Sequence, residues 1–163
     1  MKNIPKVDKM DTAVKILFDV EILVKLRFDY ISTETVLRSE DKAEFETQLR
    51  KYFQKSIPEE KFIAYAMVMD GEIVSTAFLA IDEKPPGLKN PTGRYGTIMN
   101  VFTYPEYRGK GYATSVMNYL IMDAGARSVS VLDLYSTKAG KRLYEKLGFS
   151  DVAYSAMRYC MDK

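Results

Sequence analysis

One stretch narrows the choice of fold more than any other. Ile98 to Gly125 reads as a strand, a tight basic turn and a helix. The apolar run Ile98–Phe102 is β-like. Pro105 closes it, because proline has no N–H to offer a ladder. After Arg108-Gly109-Lys110-Gly111 a helical period begins at Tyr112, with Val116, Met117, Leu120 and Ile121 on one face and Gly125 as a stop. The first N–H groups of a helix lack partners within it and carry the positive end of its dipole. Two glycines let a bulky anion approach that backbone, and Arg108 and Lys110 add positive charge. The turn suits a phosphate or pyrophosphate.

Two familiar phosphate loops do not fit. The dinucleotide fingerprint needs a third small residue where Thr114 stands and an acidic ribose ligand after a second strand, which does not follow. The Gly-Lys-Ser/Thr of a Walker loop occurs nowhere in the chain. What remains is Arg-x-x-Gly-x-Ala, Arg108 to Ala113.

Composition limits the chemistry. A chain of 163 residues suits one domain, 1–163, with a substantial core. A formal net charge of +2, with scattered basic residues, argues against a nucleic-acid partner. No apolar run reaches membrane-spanning length and no leader-like segment opens the chain, so the expectation is a protein without a membrane partner. A lone cysteine, Cys160, excludes an internal disulfide, suits a reducing cytoplasm and reads as a small buried hydrophobe. Histidine is absent, which removes Ser-His and Cys-His nucleophilic machinery and the commonest zinc ligand, so no metal is expected. Proton transfer falls to a carboxylate, tyrosine, lysine or water.

The rest of the chain reads as follows. Asn3–Val7 forms a short strand weakened by Pro5. Thr12–Phe28 has an ambiguous period. Three pairs at helical spacing, Lys15–Asp19, Glu21–Lys25 and Lys25–Asp29, tip it to helix. A second helix starts at Ser39 as cap, ends at Pro58 and turns Phe45, Leu49, Tyr52 and Phe53 inward. Phe62–Met69 and Glu72–Ile81 are strands joined by the hairpin dipeptide Asp70-Gly71. Asp82–Gly93, rich in proline and glycine, is a long loop. Ser128–Leu134 is a strand, Thr137–Leu147 a helix capped by Ser136 or Thr137 and stopped by Gly148, and Val152–Met161 one or two strands. A hairpin-built half meeting a βαβ crossover implies an α+β fold: a mixed, mostly antiparallel twisted sheet with helices on both faces.

Arg108–Ala113 resembles the pyrophosphate loop of the GNAT acetyltransferase superfamily, and Leu-Tyr-Glu-Lys-Leu-Gly-Phe, Leu143 to Phe149, resembles that superfamily's second signature. The two stand in the expected order and at the expected distance, and the likeness runs from Tyr95 onward. It implies an N-acetyltransferase that passes the acetyl group of acetyl-CoA directly to a primary amine within a ternary complex. By the same resemblance, backbone groups of Val101, Phe102 and Thr103 meet the pantetheine arm. Arg108, Gly109, Lys110, Gly111, Tyr112, Ala113 and Thr114 form the pyrophosphate grip. Thr137 stands where many relatives place a cofactor-contacting asparagine, so it keeps a hydroxyl but loses the amide. Tyr144 matches the tyrosine that protonates or hydrogen-bonds the departing thiolate. Many relatives pair, and a homodimer is compatible with that.

Two things stay open. Tyr95–Thr103 contains no carboxylate where many relatives carry a general base, which leaves Asp133 or water, and also leaves a non-catalytic coenzyme A-binding sensor as the alternative. The acceptor is a small-molecule amine or a protein amine. Asp29, Tyr30, Glu34, Glu83, Tyr95 and the proline-rich loop are candidates for its wall, where carboxylates would attract a cation.

Overall fold

The sheet is built outward from one hairpin. In the computed structural model, which describes residues 12–36, 38–153 and 156–161, β2 (Phe62–Met69) and β3 (Glu72–Glu83) pair antiparallel around Asp70 and Gly71. Both turn residues hold left-handed φ, 49° and 80°, the twist that a two-residue hairpin needs. β1 (Ala13–Leu17) adds antiparallel to β2, and β4 (Arg94–Thr103) antiparallel to β3. β5 (Val131–Leu134) adds parallel to β4, giving the order β1-β2-β3-β4-β5. The crossover from β4 to β5 is α3 (Tyr112–Ala126).

Alternation sorts the side chains of the central strands into two cores. Phe62, Ala64, Ala66 and Val68 face α1 (Val20–Glu34) and α2 (Ser39–Ser56), where Leu23, Leu26 and Phe53 close over them. Ile63 and Met67 face the opposite way, onto Val116, Met117 and Leu120 of α3. A strand buried on both faces reads as a continuous apolar run, as Phe62–Met69 does. The mixed, mostly antiparallel sheet covered on both faces is therefore the fold the sequence implies.

Four readings are corrected. Thr12–Phe28 is not one helix: it divides into β1 and α1 at Asp19, whose carboxylate accepts from the Ile22 amide at 2.9 Å. Asp19 caps α1 and does not pair with Lys15, which lies on β1; Glu21 pairs with Arg50 of α2 at 2.7 Å, and only Lys25–Asp29 is a pair along the helix, at 3.2 Å. The last helix, α4, is shorter than Thr137–Leu147 and spans Lys141–Lys146, because Thr137–Gly140 forms a turn closed by Gly140 N–H on the Thr137 carbonyl. Among the described residues beyond Phe149 there is no strand, and Cys160 is exposed rather than buried, since nothing folds it against either core. The strand expected at Asn3–Val7 lies outside the described residues.

Two irregularities of β4 prepare the site. Thr76 pairs with Phe102 and Phe78 with Met99, so Asn100 and Val101 together oppose Ala77 in a β-bulge. Asn100 takes φ 54°, is almost wholly buried, and ties β4 to α1: its Nδ2 donates to the Leu26 carbonyl and its Oδ1 accepts from Arg27 Nη1, both at 3.3 Å. Beyond the bulge, β4 runs on to Thr103, whereas its pairing with β5 ends at Ile98–Leu134. The two parallel strands part there.

Candidate active site

The parted strands open into a cavity of about 540 Å³. Its wall combines the end of β4, the start of α3, the turn before α4 with Tyr144, and Tyr30 and Glu34 from α1. The sequence-predicted residues Val101, Phe102, Thr103, Arg108, Gly109, Gly111, Tyr112, Ala113, Thr114, Thr137 and Tyr144 all line it. Lys110 does not: its Nζ sits over the Tyr107 ring, 5.3 Å from the centroid.

At the start of α3 the chain presents unsatisfied donors. Gly111 is the N-cap, with φ 80° and no side-chain cap bond, and Gly109 holds φ 77°. Ser115 N–H makes the first helical bond, to the Gly111 carbonyl at 3.1 Å. The amides of Tyr112, Ala113 and Thr114 precede it and so have no partner in the helix. A Cβ added at Gly109 or Gly111 would meet nothing within 4 Å. Glycine is needed here for the left-handed backbone and for clear approach, not for packing. No acidic residue occupies the first turn to compete for an anion.

The three β4 residues are not equivalent. Tyr104 N–H donates to the Val74 carbonyl on β3, at 3.1 Å. Backbone groups on one strand alternate edges, so Phe102 also turns its groups to β3, and Val101 and Thr103 turn theirs to the open edge. Arg108 Nε already donates to the Thr103 carbonyl at 3.0 Å, clipping the turn onto the strand end. Thr103 Oγ1 bonds the Ser75 hydroxyl at 2.8 Å.

Tyr144 reaches the cavity from α4. Its ring presses on Gly140, where an added Cβ would lie 3.2 Å from Tyr144 Cε2, and stands edge-on to Phe149 at 6.1 Å. Burial pushes its phenol above the usual tyrosine value, so at neutral pH it is an O–H donor. Thr137 Oγ1 accepts from Gly140 N–H at 3.1 Å, leaving the hydroxyl proton available to the cavity.

The candidates for the base and the acceptor wall divide. Asp133 lies in a separate cavity of about 390 Å³ beside Lys141 and Glu145. Asp29 accepts from Tyr104 Oη at 2.5 Å and pairs with Lys25. Glu83 and Tyr95 belong to the other end of the β3–β4 ladder, with Lys84 Nζ 4.2 Å from the Tyr95 ring centroid. The proline-rich loop is folded there as well, closed by Lys84 N–H on the Gly93 carbonyl at 2.8 Å. Tyr30 and Glu34 do join the wall, bonded to each other at 2.7 Å. Burial, then the bond to Glu34, pushes the Tyr30 phenol up to about 12. Asn100 and Arg27, which set α1 against β4, are not among the residues expected from the sequence. The available signal was an asparagine inside a strand run, a residue depleted from strands and tolerant of left-handed φ.

Known structures share this architecture. A predicted acetyltransferase from Clostridium acetobutylicum, solved with acetyl-CoA, superposes with a TM-score of 0.80 at 27% identity, over 91% of this chain and 96% of its own. A GCN5-related N-acetyltransferase from Ralstonia eutropha gives 0.75 at 20% identity, over 91% and 98%. Glucosamine-6-phosphate N-acetyltransferase from Arabidopsis thaliana gives 0.67 at 22%, over 90% and 98%. The last two carry the fold alone. No curated protein matches the chain significantly. The model of the acetyltransferase (GNAT) family matches residues 27–149, three quarters of the chain and the whole of the cavity described above, and the protein belongs to that family.

Proposed function

We propose that the protein is an acetyl-CoA:amine N-acetyltransferase working by direct transfer in a ternary complex. The observation that supports this most is the cavity that joins three unpartnered amides at the start of α3 to the phenol of Tyr144. The amides of Tyr112, Ala113 and Thr114, with the Arg108 guanidinium, hold the diphosphate of coenzyme A. The Val101 backbone, turned to the open edge of β4, pairs with the pantetheine arm in place of a missing strand. Thr103 contributes less to this than the sequence suggests, because its carbonyl is already engaged by Arg108. Phe102 contributes its side chain, since its backbone is committed to β3. Lys110 acts only through its charge.

The thioester then lies near Tyr144. The neutral amine attacks the carbonyl carbon, and the oxygen becomes an oxyanion that needs a backbone donor, which the Val101 N–H is placed to supply. As the carbon–sulfur bond breaks, the electron pair goes to sulfur and Tyr144 delivers a proton to it. The tyrosine recovers its proton from the amine through solvent, so the net products are the N-acetyl amide and free thiol. With Asp133 turned away, the ammonium loses its first proton to water rather than to a strand carboxylate.

The test combines calorimetry with acetyl-CoA, thiol release over a panel of amines, and a mass shift of 42 Da on the acceptor, one acetyl group replacing one hydrogen. Uptake with thiol release and the mass shift is expected. Uptake with no transfer across a wide panel would make the chain a coenzyme A-binding module instead, and no uptake would end both readings.

A further inference from the structure

The cavity wall carries both signs of charge. Arg108 and the amides of α3 are positive, and Glu34 is the only carboxylate that lines it among the described residues. Glu34 is also the side chain there that is held in place. Tyr30 Oη donates to its Oε1 at 2.7 Å, which leaves Oε2 uncommitted. Tyr30 is itself fixed on two sides, edge-on to Phe102 at 6.4 Å and under the Arg27 guanidinium at 5.6 Å. Arg27 is anchored in turn by the buried Asn100 of the bulge. An otherwise mobile glutamate at the end of a helix is thus tied through three residues to the strand that flanks the reaction centre.

A carboxylate on a cavity wall attracts a cation. A nitrogen held as ammonium has no lone pair and cannot attack a thioester. A residue that keeps its partner charged is an anchor and not the base that readies the nucleophile. Resting on the transferase reading above, we infer that Glu34, positioned by Tyr30, binds one ammonium of an acceptor that carries two basic nitrogens, and that the other nitrogen is acetylated. The anchored nitrogen keeps all its bonds. The distal one, neutral, forms the amide, and its displaced proton ends on the coenzyme A sulfur by way of Tyr144 and solvent. The acceptor class is therefore a diamine, or a chain presenting a free amine beside a second cation.

The discriminating pair of probes is putrescine and butylamine, which match in length and differ in the second charge. In the intact protein putrescine should be acetylated with the higher kcat/KM. Glu34→Gln should raise the KM for putrescine by about tenfold or more, the loss of one charged hydrogen bond, while its kcat changes far less. The selectivity between the two amines should then collapse toward unity. Tyr30→Phe should do the same in smaller measure, and Glu83→Gln, remote from the cavity, should preserve the preference. Equal efficiency with both probes, transfer to neither, an unchanged ratio in Glu34→Gln, or a loss confined to kcat would overturn the inference. In each of those cases acetyl-CoA uptake with thiol release to any other amine of the panel keeps the transferase reading, whereas uptake with no transfer to any amine, or no uptake, removes both.

Discussion

Tyr144 shows how a single residue's environment sets its chemistry. Its phenol is a donor because burial penalises the phenolate, and the Gly140 opposite leaves room for the ring. A group whose pKa is raised keeps its proton further into the alkaline range, so a rate that depends on that proton should fall only as pH climbs past the ordinary tyrosine value of 10.0. Tyr144→Phe should lower kcat by about a hundredfold, as expected for loss of a general acid, and change the acetyl-CoA dissociation constant little. The alkaline limb of the kcat profile should vanish with it. A matching loss of binding and turnover would mean that the ring serves packing instead.

At the scale of elements, the important event is the bulge in β4. Asn100 accepts a left-handed φ, and its amide pins α1 to the strand. Asn100→Ala should cost about 2–3 kcal/mol in urea unfolding, from the strained backbone and the lost hydrogen bonds. Asn100→Gly should recover about 1 kcal/mol of that, by removing only the backbone part. Both variants should also loosen Tyr30 and Glu34, which the same anchor holds. The elements also explain which readings failed. Lys15–Asp19 has helical spacing, yet Asp19 caps a helix that begins after it, and β1 owes its conformation to pairing with β2. A short strand beside a helix start has no period of its own long enough to be distinguished. The Asp70-Gly71 hairpin was legible because its turn chemistry is local and needs no partner elsewhere.

Across the whole molecule, five strands separate two apolar layers, and the ligand cavity sits where the sheet comes apart instead of inside either layer. Filling that cleft should join β4, α3 and α4 through a common occupant. Acetyl-CoA at about a hundred times its dissociation constant should stabilise the fold by about 2.7 kcal/mol and raise Tm by about 5–10 °C. Differential scanning fluorimetry reads this directly, and a flat titration at millimolar carrier would contradict it.

The amino-acid sequence alone determined whatever depends on near neighbours in the chain. That covers the glycine turn that leaves α3 uncapped, the proline that ends β4, the hairpin, the apolar periods of β2 and α3, and hence the sheet with helices on both faces. Only the tertiary structure decided which carboxylate faces the cavity. Asp133 and Glu34 look alike as letters, but the direction of a side chain follows from strand register and helix rotation, and these are set by contacts as distant in sequence as Asn100 and Leu26. The same holds for Thr103 and Val101, neighbours on one strand with opposite availability, because a guanidinium five residues on had already engaged one of the two.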